Sequence, residues 1–382
     1  MKPLTAIDLF AGAGGLSYGF RQAGFSTLAA NDFDGHAADT FRLNNPDTLF
    51  LDGPIESITT RRLLAAAGLD KGELDVLVGG PPCQAFSVYN HHRGMHDERS
   101  GLFREYLRIV SGMMPRFVVM ENVTGITSIA DGQAVAEIYR SLQELGYYVE
   151  HRILKSEEYG VPQERRRIFF IASRDSESIS WPRTTHRQLA DTRPLLIGNR
   201  KKCITVWEAI GDLPSLSPCE GADESPYCSE PLSEYQRLMR KGSTVLYNHV
   251  APFLSDINLE RLQYIPQGGS WRDIPHNLLP AGMKLAKRSD HTKRYGRLHP
   301  NGIACTILTK CDLHWGAYIH PKQERTLTVR EAARFQSFPD KIRFTGPRTE
   351  QFRQVGNAVP PLLARAVARA VAHMARRADL VH

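Results

Sequence analysis

Asp8-Leu9-Phe10-Ala11-Gly12-Ala13-Gly14-Gly15-Leu16 closes an apolar run that starts at Leu4, breaks into a glycine-rich turn and leads into a helical pattern. A strand, turn and helix in that order let backbone amides approach a ligand at the helix N-terminus. Gly12 and Gly14 match the first glycines of a dinucleotide-binding turn, but Ser17 occupies the third glycine position and no phosphate-loop lysine follows. The turn alone therefore names no cofactor.

Working outward, further strands are predicted near Thr27 to Asn31, Leu74 to Val78, Phe117 to Glu121 and Ile168 to Ala172, with helical patterns between them. This alternation argues an α/β fold with a doubly wound, mostly parallel sheet over residues 1–175. From about 176 to 310 the rhythm fades and Pro, Ser and Gly rise, which reads as a second, smaller irregular domain with loops such as Leu213 to Pro231. Residues 311–382 are expected to return to the first domain, turning helical again from Leu327, with Thr328 and Glu331 spaced as a capping box. The Ala- and Arg-rich stretch Pro360 to Ala375 reads as an amphipathic helix packing on the sheet.

Asp32 ends the second strand some 20 residues after the glycines, where an acid accepts hydrogen bonds from ribose hydroxyls, and Phe33 beside it could stack on a purine. The alternative is that Asp32 caps the helix beginning near Gly35. In Gly79-Gly80-Pro81-Pro82-Cys83-Gln84-Ala85-Phe86-Ser87, two prolines stiffen the backbone ahead of Cys83 at a strand end, and a rigidly held thiol there reads as a nucleophile. Glu121 ends the next strand at the same sheet edge. Burial at so apolar a strand end would raise its pKa and help it donate a proton; a structural carboxylate is the alternative. Arg165 and Arg167, alternating in Gln163-Glu164-Arg165-Arg166-Arg167, could reach the same crevice or a phosphate.

The 382 residues are 42% hydrophobic and 23% charged, ordinary for a globular protein, and no apolar run approaches a membrane span. Six cysteines include no CxxC pair, so reduced thiols and no structural metal are expected. The net charge of +7 is uneven: segments 161–202, 281–310 and 341–382 each carry +6, leaving −11 elsewhere. Basic segments on an otherwise acidic chain are the footprint of polyanion binding, although such runs are often only solvated faces.

Taken in order, the Phe10 to Gly15 turn, Gly80 to Ser87, Glu121-Asn122-Val123, Gln163-x-Arg165-x-Arg167, Arg330 to Asp340 and Gln354 to Pro361 resemble the DNA (cytosine-5)-methyltransferase family. The resemblance covers residues 1–175 and 290–375. It implies a class I S-adenosylmethionine-dependent methyltransferase fold, with a target-recognition domain in the irregular stretch. It also implies that Phe10, Gly12, Gly14, Asp32, Phe33, Asp52, Leu102 and Asn357 contact S-adenosyl-L-methionine. Asp52-Gly53-Pro54-Ile55 inserts two residues into the family's adenine-contacting pair.

The catalytic set implied is Cys83, Glu121 and Arg165. Cys83 would attack C6 of a flipped-out cytosine, and Glu121 would hydrogen-bond N3 and the exocyclic amine. Pro82, Gln84, Ser87, Arg167, Thr306 and Ile307 would lie on the substrate side, and residues Gln84 to Arg99 resemble a loop closing over the base. Two alternatives remain at this point, a transfer-RNA cytosine-5 methyltransferase, whose Cys-Phe-Thr signature is absent, and an inactive DNA-binding regulator. The chain resembles a stand-alone bacterial modification enzyme, expected to be monomeric, cytoplasmic and nucleoid-associated. Its expected partner is double-stranded DNA, and a separately acting restriction endonuclease is a candidate partner.

Overall fold

The apolar run beginning at Leu4 is the middle of a sheet. The computed structural model describes residues 3–82, 101–187 and 200–380. Its strands β1 (Leu4–Leu9), β2 (Phe25–Asp32), β3 (Leu49–Asp52), β4 (Val76–Gly79), β5 (Phe117–Val123), β6 (Tyr148–Lys155) and β7 (Arg166–Ser173) lie in the order β3-β2-β1-β4-β5-β7-β6. The first five pair in parallel, and β7 runs antiparallel to both β5 and β6. The mostly parallel sheet expected from the alternation is present, with two strands the sequence reading did not delimit. β3 is only four residues long, so its apolar run Leu49-Phe50-Leu51 is short, and β6 exposes Tyr148, Arg152 and Ile153 at the sheet edge, which breaks its apolar signal.

Helices cover both faces. On one, α3 (Thr60–Ala67), α4 (Leu102–Met113) and α5 (Gln133–Glu144) bury Leu63, Tyr106, Ile109 and Ile138 with Ile7, Leu9, Leu77, Val118 and Met120 of the strands. The other face carries α1 (Gly15–Gln22), α2 (Gly35–Asn44) and the helix Pro361–Ala378, which packs on α1. Side chains alternate across a strand, so Ile7 and Leu9 face the first layer while Asp8 faces α1.

The chain divides into two compact units. One comprises Met1–Ser156, Arg166–Thr184 and Val359–His382, and the other Glu157–Arg165 and Thr185–Ala358. The second unit thus runs on past 310, where composition placed the return. The helix Val329–Phe335 is buried at every position and packs against the helix Val206–Ile210 and the strand Leu246–Val250, which tie it to the second unit. Its start carries the expected capping box between Thr328 and Glu331. Part of the stretch read as loop, Gly221–Ser225, is a short exposed strand paired with Leu246–Val250. Among the described residues no helix is long and apolar enough to cross a membrane.

Gly19 marks a close helix contact. A Cβ there would lie 2.4 Å from Ala364 Cβ and 2.8 Å from the Pro361 carbonyl oxygen, whereas one at Gly35 would meet nothing within 4 Å. Gly19→Val should therefore lower the unfolding free energy by roughly 1–3 kcal/mol through overpacking. Gly35→Ala should leave it unchanged or raise it by about 0.5 kcal/mol. Urea denaturation of the two variants beside the wild type checks this, and equal midpoints for Gly19→Val and wild type would refute the packing argument.

Candidate active site

Where β1 ends, Phe10 takes a left-handed backbone conformation (φ 56°) and Gly12 and Gly14 follow with φ 53° and 85°. The turn is closed by Gly14 N donating to Ala11 O at 2.9 Å and by Ala11 N donating to Asn31 O at 3.0 Å. Asp32 fixes it from the next strand. Its Oδ2 accepts from Gly12 N at 2.7 Å and its Oδ1 from Asp34 N at 2.9 Å. The cap of α2 is Asp34, which accepts from His36 N and Ala37 N. The capping alternative for Asp32 thus fails, because its carboxylate is turned toward the glycine turn.

Phe33 stands 66% exposed beside Asp32, and a Cβ on Gly12 would meet nothing within 4 Å. An exposed ring, a held carboxylate with lone pairs to spare and open backbone make a cradle fit for a nucleoside. Asp52 lies at the end of β3, exposed and ion-paired with Arg42, and Gly53 N returns to Asp32 O at 3.2 Å. Leu102 is the first residue of α4 and packs partly against the core beneath the sheet.

Asp8 was not singled out from sequence, although an acid within an apolar strand is the signal that could have found it. It is fully buried, with Oδ2 accepting from Ser17 N at 3.0 Å and Ser17 Oγ at 2.6 Å, while Oδ1 has no partner. Burial lifts its pKa to about 7, the Ser17 hydrogen bonds pull it back in part, and the charge of Asp32 adds to the rise.

The neighbouring strand ends carry the second group of residues. Gly79 leaves room that a Cβ would take from Leu9 O and the Tyr106 ring, each 2.8 Å away, and Tyr106 donates its hydroxyl to Leu77 O at 2.9 Å. At Gly80 a Cβ would lie 3.0 Å from Glu121 Oε2, so the glycine lets the carboxylate rest against the turn. Asn122 then donates to Pro81 O at 3.0 Å, tying the end of β5 to the Pro81-Pro82 pair. This clamp was not foreseen.

Glu121 is buried, and Arg167 Nε lies 2.9 Å from its Oε1. Val123 opposes Arg167 and Glu121 opposes Phe169 in the antiparallel pair, so the acid and the arginine are diagonal neighbours on one face. The desolvation expected at this strand end is thus answered by an adjacent guanidinium. Cys83, Gln84 and Ser87, with the rest of the segment to Arg99, lie outside the described residues.

Arg165 does not join Arg167. It belongs to the second unit and is fully buried, with Nη1 donating to Ile307 O at 3.0 Å and Nη2 to Gly356 O at 2.9 Å and Ala358 O at 3.0 Å. β7 begins only at Arg166, so the alternation that placed both arginines on one side does not reach Arg165. Thr306 donates its hydroxyl to Glu164 O at 2.6 Å, Ile307 is buried with its amide on Gln163 Oε1 at 2.7 Å, and Asn357 is exposed at the end of its helix.

A mostly parallel sheet with helices on both faces, its carboxyl edge carrying an open glycine turn and a buried acid paired with an arginine, has the architecture of the class I methyltransferase fold. The sequence pattern of the C-5 cytosine-specific DNA methylases matches residues 4–373, and the chain belongs to that family. It is 35% identical to the type II methyltransferase M.AgeI of Thalassovita gelatinovora, over 96% of this chain and 99% of that protein. It is also 35% identical to the type II methyltransferase M1.HphI of Haemophilus parahaemolyticus, over 97% of this chain and 87% of that protein. Among solved structures, one described as a DNA modification methyltransferase encoded within an E. coli prophage superposes with a TM-score of 0.76 at 25% identity, covering 97% of this chain and 99% of that one. Enzymes of this family methylate cytosine in DNA with S-adenosylmethionine as methyl donor.

The Asp8 carboxyl gives the cradle a pH signature. Between the ordinary carboxyl pKa of 3.8 and about 7, the folded protein keeps a proton that the unfolded chain has released. The contribution of Asp8 to stability therefore falls as pH rises through that window and is level above it. Asp8→Asn should remove this fall, so the variant gains on the wild type between pH 5 and pH 8 in urea denaturation. A difference between the two that does not change with pH would show that Asp8 does not hold its proton.

Proposed function

We propose that this enzyme transfers a methyl group to C5 of a cytosine flipped out of a specific sequence in double-stranded DNA, through a covalent bond between Cys83 and C6. The observation that carries the reading is the pairing of Glu121 with Arg167 against the Gly80-Pro81-Pro82 turn that leads to Cys83.

S-adenosylmethionine, when bound, supplies an electrophilic methyl group on sulfur. Asp32 would take its ribose hydroxyls, Phe33 and Phe10 its adenine, and the open backbone at Gly12 and Gly14 its amino-acid portion. Leu102, Asn357 and, more peripherally, Asp52 complete the assignment. Asp52 is the outlying member because Arg42 already engages it.

Cytosine C5 is a poor nucleophile until electron density enters the ring, and the Cys83 thiolate supplies it by attacking C6. Glu121 hydrogen-bonds N3 and the exocyclic amine, sharing a proton with N3 as charge develops there. Arg167 holds the carboxylate in place and offsets its charge while N3 is being relieved. Cys83 is expelled when the C5 proton leaves. Arg167, not Arg165, is the arginine assigned to the reacting base; Arg165 braces the backbone at Ile307, Gly356 and Ala358.

Pro82, Gln84 and Ser87 are assigned to the substrate side with Arg167. In the second unit Thr306 is assigned to the DNA backbone, and the buried Ile307 supports it from within. That unit is the proposed target-recognition domain. The enzyme is further proposed to act as a monomer in the cytoplasm, at the nucleoid, with a restriction endonuclease as a separate counterpart.

Bisulfite sequencing of DNA from a methylation-free bacterial host expressing the protein tests this. Protected cytosines should fall in one short sequence context and vanish with Cys83→Ser. Glu121→Gln should slow transfer by at least about two orders of magnitude and Arg167→Gln by at least about tenfold, the scale of a lost general acid or its support. Soluble wild-type protein that protects no cytosine would overturn the DNA reading and turn attention to transfer RNA.

A further inference from the structure

The second unit holds an exposed loop whose side chains are set from beneath. Residues 309–315 present Lys310, Asp312, His314 and Trp315 to solvent, while Cys311 and Leu313 point inward. Leu313 joins a buried cluster with Trp271, Met283, Tyr295 and Ile319. Tyr318 pins the start of the loop by donating its hydroxyl to Thr306 O at 2.8 Å and accepting from Leu308 N at 3.2 Å. At the far end, a Cβ on Gly316 would lie 2.7 Å from the Tyr318 ring.

The polar groups of the loop are oriented by a buried tyrosine. Tyr295 is fully buried in a left-handed conformation (φ 49°), its amide donates to Leu313 O at 2.7 Å, and its hydroxyl lies 3.1 Å from His314 Nε2. His314 N in turn donates to Asp312 Oδ1 at 2.8 Å. Asp312 is 51% exposed, and its Oδ2 has no partner among the described residues. An exposed carboxylate does not need a chain of buried anchors for solubility, but a group that must meet a base edge does, because pre-ordering removes the entropy cost of recognition.

The surroundings supply the complementary charge. The segment between Met283 and Tyr295 hangs from the same cluster and exposes Lys284, Lys287 and Arg288. Resting on the reading of the protein as a duplex-DNA methyltransferase, we infer that residues 309–315 form its base-reading loop. Asp312 accepts a hydrogen bond from an exocyclic amine in the major groove, N4 of cytosine or N6 of adenine, and Lys284 and Lys287 hold phosphates beside it.

The test compares methylated sequence contexts, cognate-site kcat/KM and cofactor affinity for the full-length wild type, Asp312→Asn, Tyr295→Phe and the double variant Lys284→Gln/Lys287→Gln. Asp312→Asn keeps an oxygen for His314 N but replaces the free oxygen by a donor. It should lose the preference at one base position and at least about tenfold in kcat/KM, with cofactor affinity unchanged. Tyr295→Phe should relax the same position to a smaller degree. The lysine variant should keep the context and reduce the slope of log affinity against log salt by about two. An Asp312→Asn enzyme with the wild-type context and a kcat/KM within about twofold would overturn the inference while the methyltransferase reading stands. A wild-type protein that methylates no DNA would instead remove the reading on which it rests.

Discussion

Parallel pairing of β1, β2, β4 and β5 is the constraint from which the site follows. Leu9 is level with Asn31 on one side and Gly79 on the other, and Gly79 is level with Met120, so β1, β2 and β4 finish within a residue of one another while β5 runs on to Val123. Residues distant in sequence, Phe10, Asp32, Gly80 and Glu121, therefore share one edge without needing any local attraction. β7 completes the edge differently. Being antiparallel, it brings its beginning to the end of β5, which is why the partner of Glu121 is Arg167 and not a residue from the apolar end of that strand.

The second unit is organised by buried charge. Arg334 bridges Asp212 and Asp340, Arg325 engages Glu331 through two hydrogen bonds of 2.9 and 2.7 Å, and Arg330 donates to the carbonyl oxygens of Tyr247, Pro339 and Ile342. Taking so many charges out of water contributes little net stability. Removing one partner is costly, however, because the other is left buried and uncompensated. Networks of this kind favour one arrangement of irregular segments over many, which suits a unit with little regular structure.

Much of this was legible in the sequence where local chemistry and position coincide. The glycine turn, Asp32 and Glu121 all sit where a strand of the parallel sheet ends, and both the apolar runs and the breaks after them are readable. The edge strand β6 was not, since half of its residues face water and its pattern is that of a loop. Arg165 and Arg167 show a subtler limit. Alternation assigns faces only inside a strand, and β7 starts between them. The clamp of Asn122 on Pro81 and the burial of Asp8 depend on neighbours that only the folded sheet supplies.

The first unit is assembled from three separate lengths of chain, the last beginning at Val359. Helix α1, which opens directly from the glycine turn, is closed over by residues Pro361 and Ala364, which follow the second unit in the chain. During translation the glycine turn is made first, yet its covering helix emerges only after the entire second unit. The second unit can therefore be complete while α1 still lacks its covering helix. Loop closure across that span makes the docking of this helix on α1 a late step of folding.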